Sequence, residues 1–123
     1  MITGLAGVIV YANAERYPEM RSFYVDALGL VPRSNRDGFI NFELGEQRLT
    51  ITVHSELEGP NTDPLHVMIN LATSDIDADF AAAVDAGARP LRPPERESWG
   101  GIIATLADPD GNIVQRLQPA ESM

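Results

Sequence analysis

The 123-residue sequence contains no cysteine and no long hydrophobic run. The absence of cysteine excludes disulfide bonds and thiolate metal sites, and it leaves the redox compartment undetermined. No apolar segment approaches the ~20 residues that a helix needs to span a bilayer. The first residues lack the basic segment that opens a signal peptide, so we expect a cytoplasmic location.

Basic residues are scarce, because nine of them stand against eighteen acidic residues and give a net charge of −9. Binding to nucleic acid is not expected, since neutralising phosphates requires clustered Lys and Arg. The charge is compatible with a cationic small-molecule ligand, although it also serves simply to keep a protein soluble. The sequence has no Gly-x-Ser-x-Gly elbow and no phosphate-binding glycine loop. No nucleophile arrangement is therefore visible.

The clearest local pattern is a hairpin near the end of the chain. Two apolar runs, Ile102–Ala107 and Ile113–Leu117, flank the sequence DPDGN. Pro, Asp, Gly and Asn are strong turn formers, so Asp108 and Asp110 are interpreted as turn residues and not as catalytic acids. On the second strand, alternation places Gln115 on the same face as two apolar residues. The function of this polar amide depends on what that face of the strand contacts.

The first half of the chain predicts a strand, a helix and three further strands. Its helix begins at Pro18, where a proline costs no hydrogen bond, and ends at Gly29. Apolar residues recur at helical spacing between these two positions. The predicted strands are Leu5–Ala12, Leu30–Arg33, Phe39–Leu44 and Arg48–His54, with a turn at Ser34–Gly38.

The second half repeats this order after an acidic segment, residues 55–64, that has the composition of a linker. Its helix is predicted to have Ser74 as the N-cap and to end at Gly87. The predicted strands are Leu65–Leu71, Arg89–Arg92, Ile102–Ala107 and Ile113–Leu117, with a loop at Pro93–Ser98. The sequence therefore predicts a single α+β domain, residues 1–123, built from βαβββ modules at about 4–56 and 63–119. One helix covers one face of each sheet, so the two uncovered faces are expected to line a cleft.

Three stretches carry a family resemblance, namely FYVDALGL, HVMINLATSDIDADFAAAVDAGARP and WGGIIATLADPDGNIVQRL. They resemble the vicinal oxygen chelate superfamily, which includes glyoxalase I, extradiol dioxygenases, fosfomycin resistance enzymes and bleomycin resistance proteins. The chain is most similar in appearance to the bleomycin-resistance-like members. The resemblance implies two tandem βαβββ modules that form a curved mixed sheet around a central cleft. It also implies a homodimer whose sites are shared between subunits, sometimes through exchanged modules.

The metal-dependent members of that superfamily place a His on the first strand of each module and a Glu on the last strand. In this chain the second-module histidine is His66, and the glutamate position after the DPDGN turn is Gln115. Gly7 stands at or near the first histidine position, and Thr50 or Thr52 at the first glutamate position. A divalent metal needs three or more ligands, usually imidazole and carboxylate. The resemblance therefore implies a poor metal site here.

The leading hypothesis is a protein that binds a small molecule in the cleft without a metal or other cofactor, and so sequesters an antibiotic or a metabolite. Trp99 is the only tryptophan and stands beside a Gly-Gly pair, where an aromatic ring can stack on a planar ligand. The expected ligand-binding residues are His66, Gln115, Trp99, Thr52, Phe39 and Asn41.

The alternative hypothesis is a metal-dependent lyase, isomerase or dioxygenase of the same superfamily. His66, Gln115 and Glu43 would then hold a divalent metal (Zn, Ni, Fe or Mn), with His66 as the catalytic residue. A third hypothesis uses His66 as a general base without a metal.

Two arginine pairs, Arg33/Arg36 and Arg92/Arg96, stand in corresponding predicted loops. They serve either as solvated loop charges or as a contact for an anion.

Overall fold

The computed structural model describes residues 1–120 and consists of two four-stranded mixed sheets, each with its own helix. The first half contains β1 (Gly7–Ala12), α1 (Tyr17–Ser22), β2 (Pro32–Arg36), β3 (Phe39–Leu44) and β4 (Gln47–Val53). The second half contains β5 (Met68–Ala72), α2 (Ile76–Asp85), β6 (Arg89–Arg96), β7 (Ile102–Ala107) and β8 (Ile113–Gln118). None of the helices in residues 1–120 is long and apolar enough to cross a membrane.

Both sheets have the same topology. The strand order is β1-β4-β3-β2 in the first sheet and β5-β8-β7-β6 in the second. In each sheet the first strand pairs parallel with the last, and the remaining pairs are antiparallel. The α+β fold with duplicated βαβββ units is therefore confirmed. In each unit the first strand lies at an open edge of its sheet.

The first helix continues into a π-helical turn, Phe23–Ala27, which the sequence pattern did not predict. The amide of Leu28 donates to the carbonyl of Phe23 at 3.0 Å, five residues back instead of four. This wider turn keeps Phe23 and Tyr24 both buried on the core side. Gly29 then ends the helix with a φ of +71°, as its predicted stop position requires.

Two predicted loops are shorter in the structure because strand pairing extends into them. β6 continues to Arg96, so four of the six residues of the predicted loop Pro93–Ser98 are strand. The two prolines are tolerated there because β6 lies at a sheet edge, where a missing N–H breaks no ladder. β2 likewise continues to Arg36, which leaves only Asp37 and Gly38 as the hairpin turn.

Two other predictions about the second half are wrong in detail. The N-cap of α2 is Asp75 and not Ser74, because the Asp75 carboxylate accepts from the amide of Ala78 at 3.2 Å. The strand predicted from Leu65 begins only at Met68, the residue that pairs with the first residue of β8. Residues before Met68 have no partner strand and leave the sheet.

One hydrophobic core joins the two halves on the helix-covered faces of both sheets. From the first half it takes Met20, Tyr24, Phe42 and Ile51, which are fully buried. From the second half it takes Ala83, Leu106 and Val114, also fully buried. Burial of apolar surface is the main stabilising term, so the two halves stabilise each other through this shared core.

A polar cluster fastens the first helix to the turn between β7 and β8. The hydroxyl of Tyr24 donates to Oδ2 of Asp108 at 2.8 Å, and both residues are buried. Arg16 pairs with the Asp110 carboxylate, and its Nη2 donates to the carbonyl of Pro109 at 2.8 Å. The DPDGN turn therefore connects the two halves, in addition to closing a hairpin.

Candidate functional site

In each sheet, alternation divides the side chains between a helix-covered face and an opposite face, which we call the outer face. In β4, for example, Leu49 and Ile51 are buried against the core, so the intervening Thr50 and Thr52 lie on the outer face. The outer face of each sheet carries no helix. These two faces are the surfaces on which the predicted site residues must lie to meet a common ligand.

Three of those residues lie on the outer face of the first sheet. Phe39 on β3 lies directly opposite Thr52 on β4, and Thr52 lies opposite Tyr11 on β1. The Thr52 hydroxyl donates to the carbonyl of Gly38 at 2.9 Å. Asn41 lies two residues along β3 from Phe39, on the same face.

Asn41 has a structural contact of its own. Its Oδ1 accepts from the amide of Ser34 at 3.0 Å, at the irregularity in the pairing of β2 with β3. The residue is buried despite its outer-face position. Its amide therefore holds the bulged β2 strand in register and is less accessible than Phe39 or Thr52.

Gln115 lies at the centre of the outer face of the second sheet. Its Nε2 donates to Oδ1 of Asn70 at 3.1 Å, directly across the parallel β5–β8 pair. Thr105 lies opposite Gln115 on β7. The residues around the amide are thus neutral, and its donor group is already bound to a neighbouring side chain.

His66 lies outside the sheet, in the turn before β5. Its side chain is 80% exposed, and its Nε2 lies 3.3 Å from a carboxylate oxygen of Asp63. This position separates it from the outer-face residues of β5 and β8. Among residues 1–120, no hydrogen bond, ion pair or ring contact joins His66 to Gln115 or Trp99.

Trp99 lies in the turn between β6 and β7 and is 56% exposed. Its ring packs directly over Gly101, where an added Cβ would meet a ring carbon at 1.9 Å. The space beside Gly101, through which a ligand was predicted to approach the backbone, is therefore filled by the Trp99 ring itself.

Gly7 occupies the first position of β1, where the resemblance places a histidine. A Cβ built on Gly7 would lie 2.1 Å from the carbonyl oxygen of Arg48, which is backbone of the neighbouring strand. Any side chain at this position requires the β1–β4 pair to shift. The close backbone approach, and not a ligand role, accounts for glycine here.

These residues do not fit a divalent metal. In residues 1–120 no three His, Asp or Glu side chains come together as a candidate metal site. Glu43, the one acid considered as a ligand, is exposed and lies 3.9 Å from Arg33. Gly7 offers no donor, His66 lies outside the strand, and Gln115 bonds to Asn70. The candidate donors therefore do not bring together the three imidazole and carboxylate groups that such a metal prefers.

The duplicated βαβββ units and their two uncovered sheet faces define a protein of the vicinal oxygen chelate type. The family model of the Glyoxalase/Bleomycin resistance protein/Dioxygenase superfamily matches residues 8–115, which is most of the chain. The chain therefore belongs to this superfamily. A comparison with curated proteins finds no match.

Solved structures of the same fold are similar over nearly the whole chain. A protein of unknown function from Agrobacterium tumefaciens str. C58 is 22% identical with a TM-score of 0.77, over 97% of this chain and 96% of its own. A glyoxalase/bleomycin resistance protein/dioxygenase family enzyme from Burkholderia phytofirmans PsJN is 18% identical with a TM-score of 0.73, over 94% and 98%. Lactoylglutathione lyase from Agrobacterium tumefaciens is 16% identical with a TM-score of 0.70, over 96% and 95%. At these identities the similarity establishes the fold alone.

Sequence reasoning missed Asn70, the hydrogen-bond partner of Gln115. The pattern LHVMINL contains the necessary signal, because Asn70 alternates with two apolar core residues and so must lie on the outer face. Its pairing with Gln115 depends on the register of β5 against β8, which no local pattern specifies.

Proposed function

We propose that this chain binds a small molecule against the outer faces of its sheets without using a metal. The observation that carries the proposal is the hydrogen bond between Gln115 and Asn70, at 3.1 Å, in the centre of the second sheet. A neutral amide pair there can orient a ligand through its remaining donors and acceptors. It supplies neither the charge that retains a divalent metal nor an acid or base for proton transfer. Sequestration of an antibiotic or a metabolite is the function that this chemistry supports best.

We expect the protein, purified without chelator and analysed by elemental mass spectrometry, to contain far less than one equivalent of Zn, Ni, Fe or Mn. The physical reason is that His66 is the only imidazole at a superfamily ligand position and is highly exposed beside Asp63. Native mass spectrometry of the same sample then detects any organic ligand that the protein retains.

The matched variants are His66→Ala and His54→Ala, which remove the only two histidines one at a time. Neither substitution is expected to change the metal content. Stoichiometric metal that is lost in His66→Ala but kept in His54→Ala would contradict the proposal and favour the metal-dependent enzyme.

The proposal includes a homodimer in which the first-sheet outer face of one subunit and the second-sheet outer face of its partner line each cleft. Its support lies at the open edges β1 and β5. Ile9 on β1 and Val67, the residue directly before β5, are large apolar residues that are 56% and 72% exposed in the single chain. Both line a groove of about 490 Å³ between the two edges. Open edges and exposed apolar side chains are features that a second copy can cover.

A Val67→Asp substitution is expected to weaken this dimer at least about tenfold, because it places a charge in an apolar contact. Light scattering coupled to size-exclusion chromatography should give twice the 13.4 kDa chain mass for the wild type and a lower mass for the variant. Val31→Asp is the matched control, since Val31 is 83% exposed and does not line this groove. A monomeric wild type, or a variant that stays dimeric, would contradict the shared-cleft proposal.

A further inference from the structure

The outer face of the first sheet differs in charge from the rest of the chain. Although the net charge is −9, the charged residues on this face are Arg33, Arg36, Arg48 and a single acid, Glu43. By contrast, α2 and the linker segment 55–64 each carry three acidic residues and no basic residue. The net charge of the whole chain therefore does not describe the surface that a ligand meets.

Arg36 is the outer-face cation that is best placed to recognise a ligand. Arg33 has a carboxylate of Glu43 at 3.9 Å, and Arg48 lies opposite Glu43 across the β3–β4 pair. Arg36 has no carboxylate within ion-pair distance among residues 1–120. Its guanidinium carbon lies 4.3 Å from the centroid of the Phe39 ring. Stacking fixes the guanidinium plane and leaves its N–H groups free to donate.

A row of side chains continues from Arg36 across the sheet. Arg36, Phe39, Thr52 and Tyr11 lie side by side on β2, β3, β4 and β1. The Thr52 hydroxyl is bound to Gly38, and the Tyr11 ring meets the ring of His54 edge-on at 5.1 Å. Three strand spacings of ~4.8 Å make the row roughly 14 Å long. It therefore presents one cation at one end and aromatic and apolar surface along the remainder.

We propose that the ligand is an organic anion, with its carboxylate, sulfonate or phosphate held by Arg36 and its apolar body lying across Phe39, Thr52 and Tyr11. This inference rests on the proposed small-molecule binding and specifies the chemical class of the ligand. The proposed ligand is an anion, whereas the net charge of the whole chain is compatible with a cationic ligand. The planar, stacked guanidinium is suited to bind two oxygens of one anionic group.

The test uses two fluorescent dyes that share a skeleton and differ in one anionic group. These are 8-anilino-1-naphthalenesulfonate and the uncharged N-phenyl-1-naphthylamine. Titrations compare the wild type with Arg36→Gln, Arg36→Lys and the control Arg96→Gln, an exposed arginine whose row partner Ile102 is on the helix-covered face. Arg36→Gln is expected to weaken binding of the sulfonate by about fivefold, as for an exposed ion pair. Binding of the uncharged dye should change less than about twofold.

Each outcome decides the proposal. Partial retention of sulfonate binding in Arg36→Lys, with no change in Arg96→Gln, would support an anion contact at Arg36. Equal changes for both dyes, or no change for either, would overturn the anion assignment while the small-molecule proposal stands. Failure of the folded wild type to bind either dye would contradict both proposals. Circular dichroism of each variant confirms that the protein titrated is folded.

Discussion

Replacing Asp108 with alanine is expected to lower the free energy of unfolding by about 3 to 5 kcal/mol, because a buried hydrogen-bond network is removed. The Asp108 carboxylate accepts from Tyr24, from the amide of Asp110, and from both the amide and the side chain of Asn112. Without it, the Tyr24 hydroxyl is left buried with no acceptor. Urea unfolding followed by circular dichroism measures the effect.

Two variants separate the network from the simple loss of a charge. Asp108→Asn preserves the shape but turns one acceptor into a donor that faces Asn112, so its effect should be about 1 to 2 kcal/mol. Asp26→Ala removes an exposed acid from the helical segment of the first half and should change stability by less than about 0.5 kcal/mol. If Asp108→Ala resembles Asp26→Ala, the Tyr24–Asp108 contact does not hold the halves together.

Burial raises the pKa of Asp108, although its hydrogen bonds with Asn112 and Tyr24 act in the opposite direction. The folded protein therefore binds this proton more tightly than the unfolded chain. The stability that the folded protein gains by binding this proton is fully present below the ordinary Asp pKa. It is lost as the pH rises through the raised pKa of Asp108 in the folded protein. The same burial raises the pKa of Tyr24 well above its usual range, so the tyrosine stays protonated and continues to donate.

Gly7→Ala is expected to destabilise the fold by about 1 to 3 kcal/mol, as overpacking does elsewhere. The added methyl would lie 2.1 Å from the carbonyl oxygen of Arg48, and the backbone of β4 cannot move aside as a side chain can. The measurement is again urea unfolding. Gly7 is also the position at which metal-dependent relatives are expected to carry a histidine. The loss of stability in Gly7→Ala therefore also measures how poorly this position accommodates a metal-ligating side chain such as histidine.

Gly101→Ala is the matched control for Gly7→Ala. Its new methyl would also meet an atom at short distance, 1.9 Å, but that atom belongs to the exposed ring of Trp99. The ring can rotate away, so the loss of stability should be below about 1 kcal/mol. Similar losses in the two variants would show that the β1–β4 approach is not exceptionally tight.

The fold was largely predictable from the sequence, because its signals are local. Strand alternation, the glycines that end each helix and the DPDGN turn all act over a few residues, and the first two of these signals repeat in both halves. The predicted ends of the strands were less accurate where pairing with a neighbouring strand decides where a strand begins or ends. Arg36 belongs to β2 because it pairs with Phe39, and β5 begins at Met68 because β8 begins opposite it.

The candidate site was predictable only in part. Alternation placed Phe39, Thr52 and Gln115 on the faces where the structure has them. It placed His66 at the start of a strand, whereas the residue lies in the preceding turn beside Asp63. Arg36 had been placed in a loop as one of several arginines. Its stacking on Phe39 requires the two-residue turn that brings β2 and β3 together.

The sequence by itself determined the order of the elements and the face on which each strand residue lies, since both depend on neighbours in the chain. The tertiary structure alone decided which residues far apart in the sequence meet. Tyr24 and Asp108 are 84 positions apart and form a buried hydrogen bond between the two halves. Gln115 and Asn70, 45 positions apart, form the neutral pair at the centre of the second sheet. Such contacts follow from register and from the packing of two sheets on one core, which are properties of the whole chain.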